Sequence, residues 1–369
     1  MRDSNIDFFR GLAVIGVIIL HAWMTIPGIG VEFPNFHVVM SRFSVSMQLF
    51  FVISGYLIYS SFNYNRNKKG FLGNFYIKRI SKIIPLYLIF LVLNFSIFLL
   101  LNYLYKDFDN YSMFKLKLEH ITKENFIVHL FFLQGFSAYR LHSLLDGSWS
   151  IVIEVYFYLL FPFFVYNFVN SKKKSLLYFL VSLGLLSLFP KIIGPVWHEI
   201  KTGSFYYYFF TNQLPCFILG IVLFHYKEFF FDTKVKLPFL TLSITIFIGM
   251  LHGSVKPVDY HVFYSIGIVF FIITSYETIN GFKEYPIYKY ISDIGTQSYA
   301  VFFSHLIIMN VSVFFLNRNL IGVNPLILFL INLIIIFFIS LILSNFIFNK
   351  IDLCFCKLGK KLVKKRSAI

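Results

Sequence analysis

The chain has 369 residues, of which 58% are hydrophobic and only 14% charged, and its mean hydropathy is +0.73. That balance excludes an ordinary soluble domain and fits a chain that spends most of its length in a bilayer. The formal charge of +16 is scattered over short segments between apolar runs. It therefore gives no support to a nucleic-acid partner and fits topology-setting loops with added attraction to anionic lipid.

Taken in chain order, apolar runs of about 20 residues, each long enough to cross ~30 Å of hydrocarbon as helix, are predicted near 8–27, 43–62, 83–105, 149–169, 175–190, 205–226, 238–252, 260–280, 297–317 and 324–349. The expected fold is all-α: a polytopic integral membrane protein with about ten transmembrane helices, 1–349 forming a single transmembrane domain and 350–369 a basic cytoplasmic tail. The segment 121–136 (ITKENFIVHLFFLQGF) is apolar but too short to span, and is expected to be re-entrant or interfacial.

The first run, FFRGLAVIGVIILHAW, carries Arg10 and His21. Eleven positions at ~100° each bring both side chains to one helix face, about 16 Å apart along the axis. Ionisable groups in a bilayer are costly, so such a pair points to function. The fourth run carries Glu154, five residues from its start, as His21 lies about five from the outer end of the first. An acid and an imidazole at matching depth are expected to pair, the carboxylate orienting the imidazole as a general base; a structural pair locking two helices is the alternative. Arg79 and Lys82 immediately precede the third run and, with Arg10, place three cations near the inner surface, where charge-assisted bonds to phosphate are available.

With ten spans both termini share a side, and that side collects more than twice as many Lys and Arg residues as the other, so both termini are expected to be cytoplasmic. The first run lacks a small-residue cleavage site and is expected to be retained. Cys216 lies in a span while Cys354 and Cys356 lie in the tail, so neither a disulfide nor a metal site is expected.

These segments also resemble a known family. IDFFRGLAVIGVIILHA is similar to the opening of the bacterial acyltransferase-3 membrane proteins, an arginine and a histidine separated by ten residues. FFVISGYLI (50–58, with Ser54), KRISKIIPLY (78–87), GSWSIVIEVYFYLLFP (147–162, with Trp149, Ser150 and Glu154) and GTQSYAVFFSHLII (295–308, with Ser298, Tyr299 and His305) resemble that family's further motifs in the same order. Lys82 departs from the pattern by replacing an arginine, which weakens forked phosphate contact there, and Ile151 replaces a leucine.

The resemblance implies an acyl-CoA-dependent O-acyltransferase of the cell membrane. It would move an acyl group, most often acetyl, from cytoplasmic acetyl-CoA or another acyl-CoA to a hydroxyl of a surface polysaccharide or its lipid-linked precursor. His21 and Glu154 become the expected catalytic pair, with Arg10, Arg79 and Lys82 on the donor. Ser54, Trp149, Ser150, Ser298, Tyr299 and His305 become substrate-binding or supporting residues. The expected partners are acyl-CoA, a carbohydrate acceptor and the lipid bilayer. No metal is expected, and oligomeric state is left open. Some relatives carry a fused extracellular hydrolase-like domain; this chain is expected to act without one, alone or with a separate partner. The other readings are a transporter or flippase of lipid-linked sugars, and an acyltransferase acting on peptidoglycan or a small lipophilic acceptor.

Overall fold

A computed structural model describes residues 3–104, 120–145, 147–201, 203–230, 233–252, 257–320 and 322–367. The described residues form helices and turns, with no strand among them. The principal helices are α1 (Ser4–Met24), α2 (Ser46–Asn65), α3 (Phe71–Leu104), α4 (Lys123–Leu130), α5 (Trp149–Leu160), α6 (Lys172–Ile193), α7 (Phe210–Phe230), α8 (Thr233–His252), α9 (Pro257–Ser275), α10 (Pro286–Thr296), α11 (Ser298–Asn319), α12 (Pro325–Ile347) and α13 (Leu353–Ser367). Their starts follow local chemistry. Asp3 accepts from the amides of Asn5 and Ile6 ahead of α1. Thr122 and Ser171 cap α4 and α6 in the same manner, and α10 and α12 open on proline, which loses no helical hydrogen bond there.

Among the described residues, seven helices are long and apolar enough to cross a membrane. The expected spans 149–169, 238–252 and 260–280 instead hold shorter apolar helices, Trp149–Phe163, Lys236–Leu251 and His261–Ser275, so the count falls short of the about ten spans expected from hydropathy. Of the cations expected on the outer side, Lys106, Lys115, Lys117 and Lys256 lie outside the described residues.

Two crossings hold the core together, and glycine makes each of them possible. A Cβ on Gly295 of α10 would lie 1.7 Å from the Asp7 carbonyl oxygen of α1, and one on Gly11 would lie 2.1 Å from that of Ile291. At the crossing of α2 and α7, Gly55 and Gly220 likewise leave 2.0 and 1.9 Å to the carbonyl oxygens of Phe217 and Val52. Only hydrogen-sized side chains allow helix backbones this close, a packing mode suited to lipid, where association depends on contact rather than on the hydrophobic effect. By contrast α6 and α12 present Leu177, Leu180, Ile334 and Ile342 outward, as lipid-facing helices do.

Two expectations change. Helix α3 starts at Phe71, not near 83, so Arg79 and Lys82 lie within the helix rather than before it; hydropathy registers only the apolar part of a helix that continues past it. Helix α10 falls in what read as a loop and packs along α1. The segment 121–136, expected to be re-entrant or interfacial, is folded into the bundle. His129 and Gln134 are fully buried, Tyr87 donates to the His129 carbonyl (3.1 Å) and Gln134 to the Tyr87 hydroxyl (2.9 Å). Tyr156 of α5 donates to the carbonyl of Phe132 (2.6 Å), whose φ of 60° is left-handed.

Candidate active site

Glu154 lies on α5, where the helix packs against α2 and α7. One carboxylate oxygen, Oε1, accepts three hydroxyl hydrogen bonds: from Ser54 (2.7 Å), Tyr158 (2.5 Å) and Tyr299 (2.7 Å). Tyr158 is four residues on from Glu154, one helical turn away, and the sequence reading missed it although i, i+4 spacing puts both on one face. Cations close the back of this network. The Tyr299 ring carries Lys82 Nζ at 4.9 Å and Arg10 Cζ at 5.5 Å from its centroid, and Arg79 Cζ lies 5.1 Å from that of Tyr158. These are cation–π distances, stronger where water is excluded. Arg10 is buried and donates to Ser298 Oγ at 2.6 Å.

His21 is placed elsewhere. Its Nδ1 meets Nε2 of His305 at 2.9 Å, with the rings stacked 5.2 Å apart. The Nδ1 of His305 lies 3.3 Å from the Val301 carbonyl, which can only accept. With both rings neutral, that assigns the proton of His305 to Nδ1 and leaves its Nε2 as acceptor. His21 must then carry its own proton on Nδ1, which leaves the Nε2 lone pair as the basic site. The expected pairing of His21 with Glu154 is therefore replaced by a histidine pair on α1 and α11, and Glu154 joins the level of Arg10, Arg79 and Lys82.

Three cavities follow these groups. A basic cleft of about 500 Å³ takes Lys68, Lys78, Arg79 and Lys82 from α3 and the turn before it, and Lys360 from α13; no carboxylate lines it among the described residues. A central cavity of about 30 Å³ is lined by Arg10, Ser54, Ser150, Glu154, Ser298 and Tyr299, with Met47 and Phe302 in its wall. A third, of about 100 Å³, is lined by His21, Trp149, Tyr207 and Tyr208, again with Met47 and Phe302. Trp149 lies 4.8 Å from the Tyr208 ring and 5.8 Å from that of Tyr207. Of the residues expected at the site, Arg79 and Lys82 thus fall at the basic end, and Arg10, Ser54, Ser150, Glu154, Ser298 and Tyr299 in the middle. His21 and Trp149 line the far cavity, and His305 stands behind His21. Tyr158, Tyr207, Tyr208 and Lys360 are additions that no local pattern in the sequence marks, apart from the spacing of Tyr158. Among the described residues no cluster of His, Cys, Asp and Glu has the makings of a metal site.

An all-helical bundle of membrane-spanning type that buries a carboxylate, cations and hydroxyl side chains against one another has a polar site in its interior. The acyltransferase-domain family of type 3 matches residues 3–345, and the chain belongs to it. The chain is 31% identical over 193 residues to the peptidoglycan O-acetyltransferase OatA of Listeria monocytogenes, an alignment covering 50% of this chain and 28% of that protein. It is 29% identical over 238 residues to the O-acetyltransferase OatA of Staphylococcus aureus, covering 59% and 34%. The chain thus matches only about a third of the length of these relatives. No solved structure gives a significant match.

Proposed function

We propose that this protein is an acyl-CoA-dependent membrane O-acyltransferase that carries an acetyl group from a donor in the basic cleft to a glycan hydroxyl in the His21 cavity. The observation that carries this reading is the order of the site: a cation-lined cleft, the Glu154 network, and a basic histidine beside an aromatic wall. The cleft suits the phosphates of acyl-CoA, which arginine and lysine bind through charge-assisted bonds. Arg10 lies one layer deeper than the cleft, so its donor contact is to the polar pantetheine arm or the thioester rather than to phosphate.

In the reaction the acceptor hydroxyl attacks the thioester carbonyl while His21 Nε2 takes its proton, and CoA leaves as the thiol. His305 holds the His21 tautomer that makes this possible. Trp149, Tyr207 and Tyr208 give the acceptor flat apolar faces with polar edges, a surface suited to a sugar ring. At about 30 Å³ the central cavity holds about one water, so the arm passes only when side chains there move. Met47, flexible and shared by the central and far cavities, is the natural gate. The closed state also keeps the two ends sealed from each other.

Peptidoglycan is the acceptor that the name of the Listeria relative favours; a surface polysaccharide or its lipid-linked precursor is the second reading. We further propose a cell-membrane location with both termini in the cytoplasm, which puts the cleft where acyl-CoA is made. The test is acetyl transfer from labelled acetyl-CoA to glycan in membranes holding the wild type or His21→Ala, with the product located by NMR. Label that reaches the glycan equally in both overturns the mechanism.

A further inference from the structure

The basic cleft is closed on one side by a helix that lies beyond the family match. That match ends at residue 345, whereas α13 runs Leu353–Ser367. Two close contacts lay α13 antiparallel along the first turns of α3. A Cβ on Gly359 would lie 2.4 Å from Ser81 Oγ, and one on Gly73 would lie 1.9 Å from the Arg366 guanidinium. Moving seven residues along one helix thus moves eight back along the other. Cys356, just before the first of these clamps, and Lys360 and Val363, between them, share one helical face by i, i+4, i+7 spacing and line the cleft. Lys357, Lys361, Lys364 and Lys365 do not line it.

We propose that α13 is a wall of the donor site and that Lys360 is a ligand for the phosphorylated adenosine end of acyl-CoA. This rests on the acyl-CoA reading above. With Lys360 in place, five cations surround a cleft that no carboxylate lines among the described residues. Its volume of about 500 Å³ is in the range of small-molecule sites. Phe62, Phe71 and Phe75 supply an aromatic wall, Phe75 already carrying the Arg79 guanidinium 5.6 Å from its ring centroid, and such a wall suits a purine base. Anionic phospholipid headgroups share the phosphate chemistry, but a lipid does not call for the aromatic wall.

The experiment measures acetyl-CoA binding to the purified full-length protein in detergent. It uses Lys360→Glu, the milder Lys360→Gln, Lys361→Glu as a charge-matched change on another face, and Arg79→Ala. Lys360→Glu is expected to weaken binding about tenfold, as loss of a charged hydrogen bond does, and Lys360→Gln by less. Lys361→Glu should stay within about twofold, because an exposed charge outside the cleft is screened. Equal losses for positions 360 and 361 would reduce the effect to net charge and overturn the proposal. It is also overturned if Lys360→Glu and Lys360→Gln bind like wild type while Arg79→Ala does not, an outcome that leaves the donor reading standing. Wild-type protein that fails to bind acetyl-CoA removes both. Binding of phosphatidylglycerol micelles that depends on Lys360 and displaces acetyl-CoA would assign the cleft to lipid.

Discussion

Replacing Glu154 by glutamine preserves shape and one acceptor oxygen but removes the charge that three hydroxyls share. The bonds from Ser54, Tyr158 and Tyr299 measure 2.7, 2.5 and 2.7 Å, the short range of hydroxyls donating to a carboxylate. Hydrogen bonds to a charged partner contribute about 1.5–3 kcal/mol and neutral ones about 0.5–1.5. Each bond then loses roughly 1 kcal/mol and the three together roughly 3, less whatever they share. The new amide also brings a donor to a place where Arg10, Arg79 and Lys82 are donors only. A loss of roughly 3 kcal/mol in the network that holds the reacting geometry corresponds to about 10²-fold in rate. Glu154→Gln is therefore expected to melt a few degrees lower in detergent, to transfer acetyl about 10²-fold more slowly, and to bind acetyl-CoA at least as well as wild type. The last follows because the donor is anionic and loses a repelling charge. Thermal melting, binding and transfer are measured on the same preparation. Wild-type turnover with unchanged melting would remove Glu154 from the site, and a loss of donor affinity would refute its place among the cations.

His21→Ala is expected to lower transfer by about 10²–10⁴-fold, the usual contribution of a general base, with membrane expression unchanged; transfer at the wild-type rate returns His21 to packing. His305→Ala should cut kcat by about tenfold or more while leaving the KM for acetyl-CoA in place. Partial rescue by His305→Gln, whose amide oxygen can accept from His21, marks positioning rather than bulk. Lys82→Arg should tighten acetyl-CoA binding by restoring a forked donor, and weaker binding would argue against phosphate contact at that position. Gly295→Ala should abolish folded protein, since its Cβ would lie 1.7 Å from a carbonyl oxygen, whereas Gly184→Ala on lipid-facing α6 meets nothing within 4 Å and should be neutral or slightly stabilising. Comparable yields of the two variants would contradict the α1–α10 crossing. A reporter after Asn349 should read cytoplasmic and one within 106–120 external, and a shared side for both would overturn the topology.

Most of the helices were legible because a bilayer-spanning helix writes its apolar, membrane-crossing part in hydropathy. Helix α10 was not, since PIYKYISDIGT is short and carries Lys289 and Asp293 on its outer side. What makes it part of the core is the pair Gly11 and Gly295, one glycine in each partner, and no single-segment pattern shows that two glycines distant in sequence will meet. The start of α3 was misplaced for a related reason: Lys78, Arg79 and Lys82 interrupt the apolar run but not the helix. Their spacing then decides their use. Arg79 and Lys82, three residues apart, reach Tyr158 and Tyr299 from the same helix face.

The depth of Glu154 is the instructive failure. Counting from the start of its apolar run put it near one surface and level with His21, on the assumption that the run begins where the bilayer does. Here the chain is already inside the bundle before α5 begins. Leu144, Leu145 and Ser148 are buried, Asn94 of α3 donates to the Leu144 carbonyl, and Tyr156 holds the turn at Phe132. Five residues further on, roughly 7–8 Å by helical rise, Glu154 reaches the cations, while Trp149 at the top of the same helix lines the cavity of His21. One short helix therefore runs from the His21 cavity to the central cavity of Arg10 and Glu154. The carboxylate that the sequence pairs with His21 instead sits at the level of Arg10, Arg79 and Lys82, where three hydroxyls hold it, and His21 meets a second histidine. That division of labour makes the double variant Glu154→Gln/His305→Ala informative. Groups that act through separate contacts should give additive losses in transition-state free energy, within about 0.5 kcal/mol. Strong non-additivity would mean that Glu154 and His21 work as one unit after all, through a rearrangement that brings them together when donor and acceptor are bound.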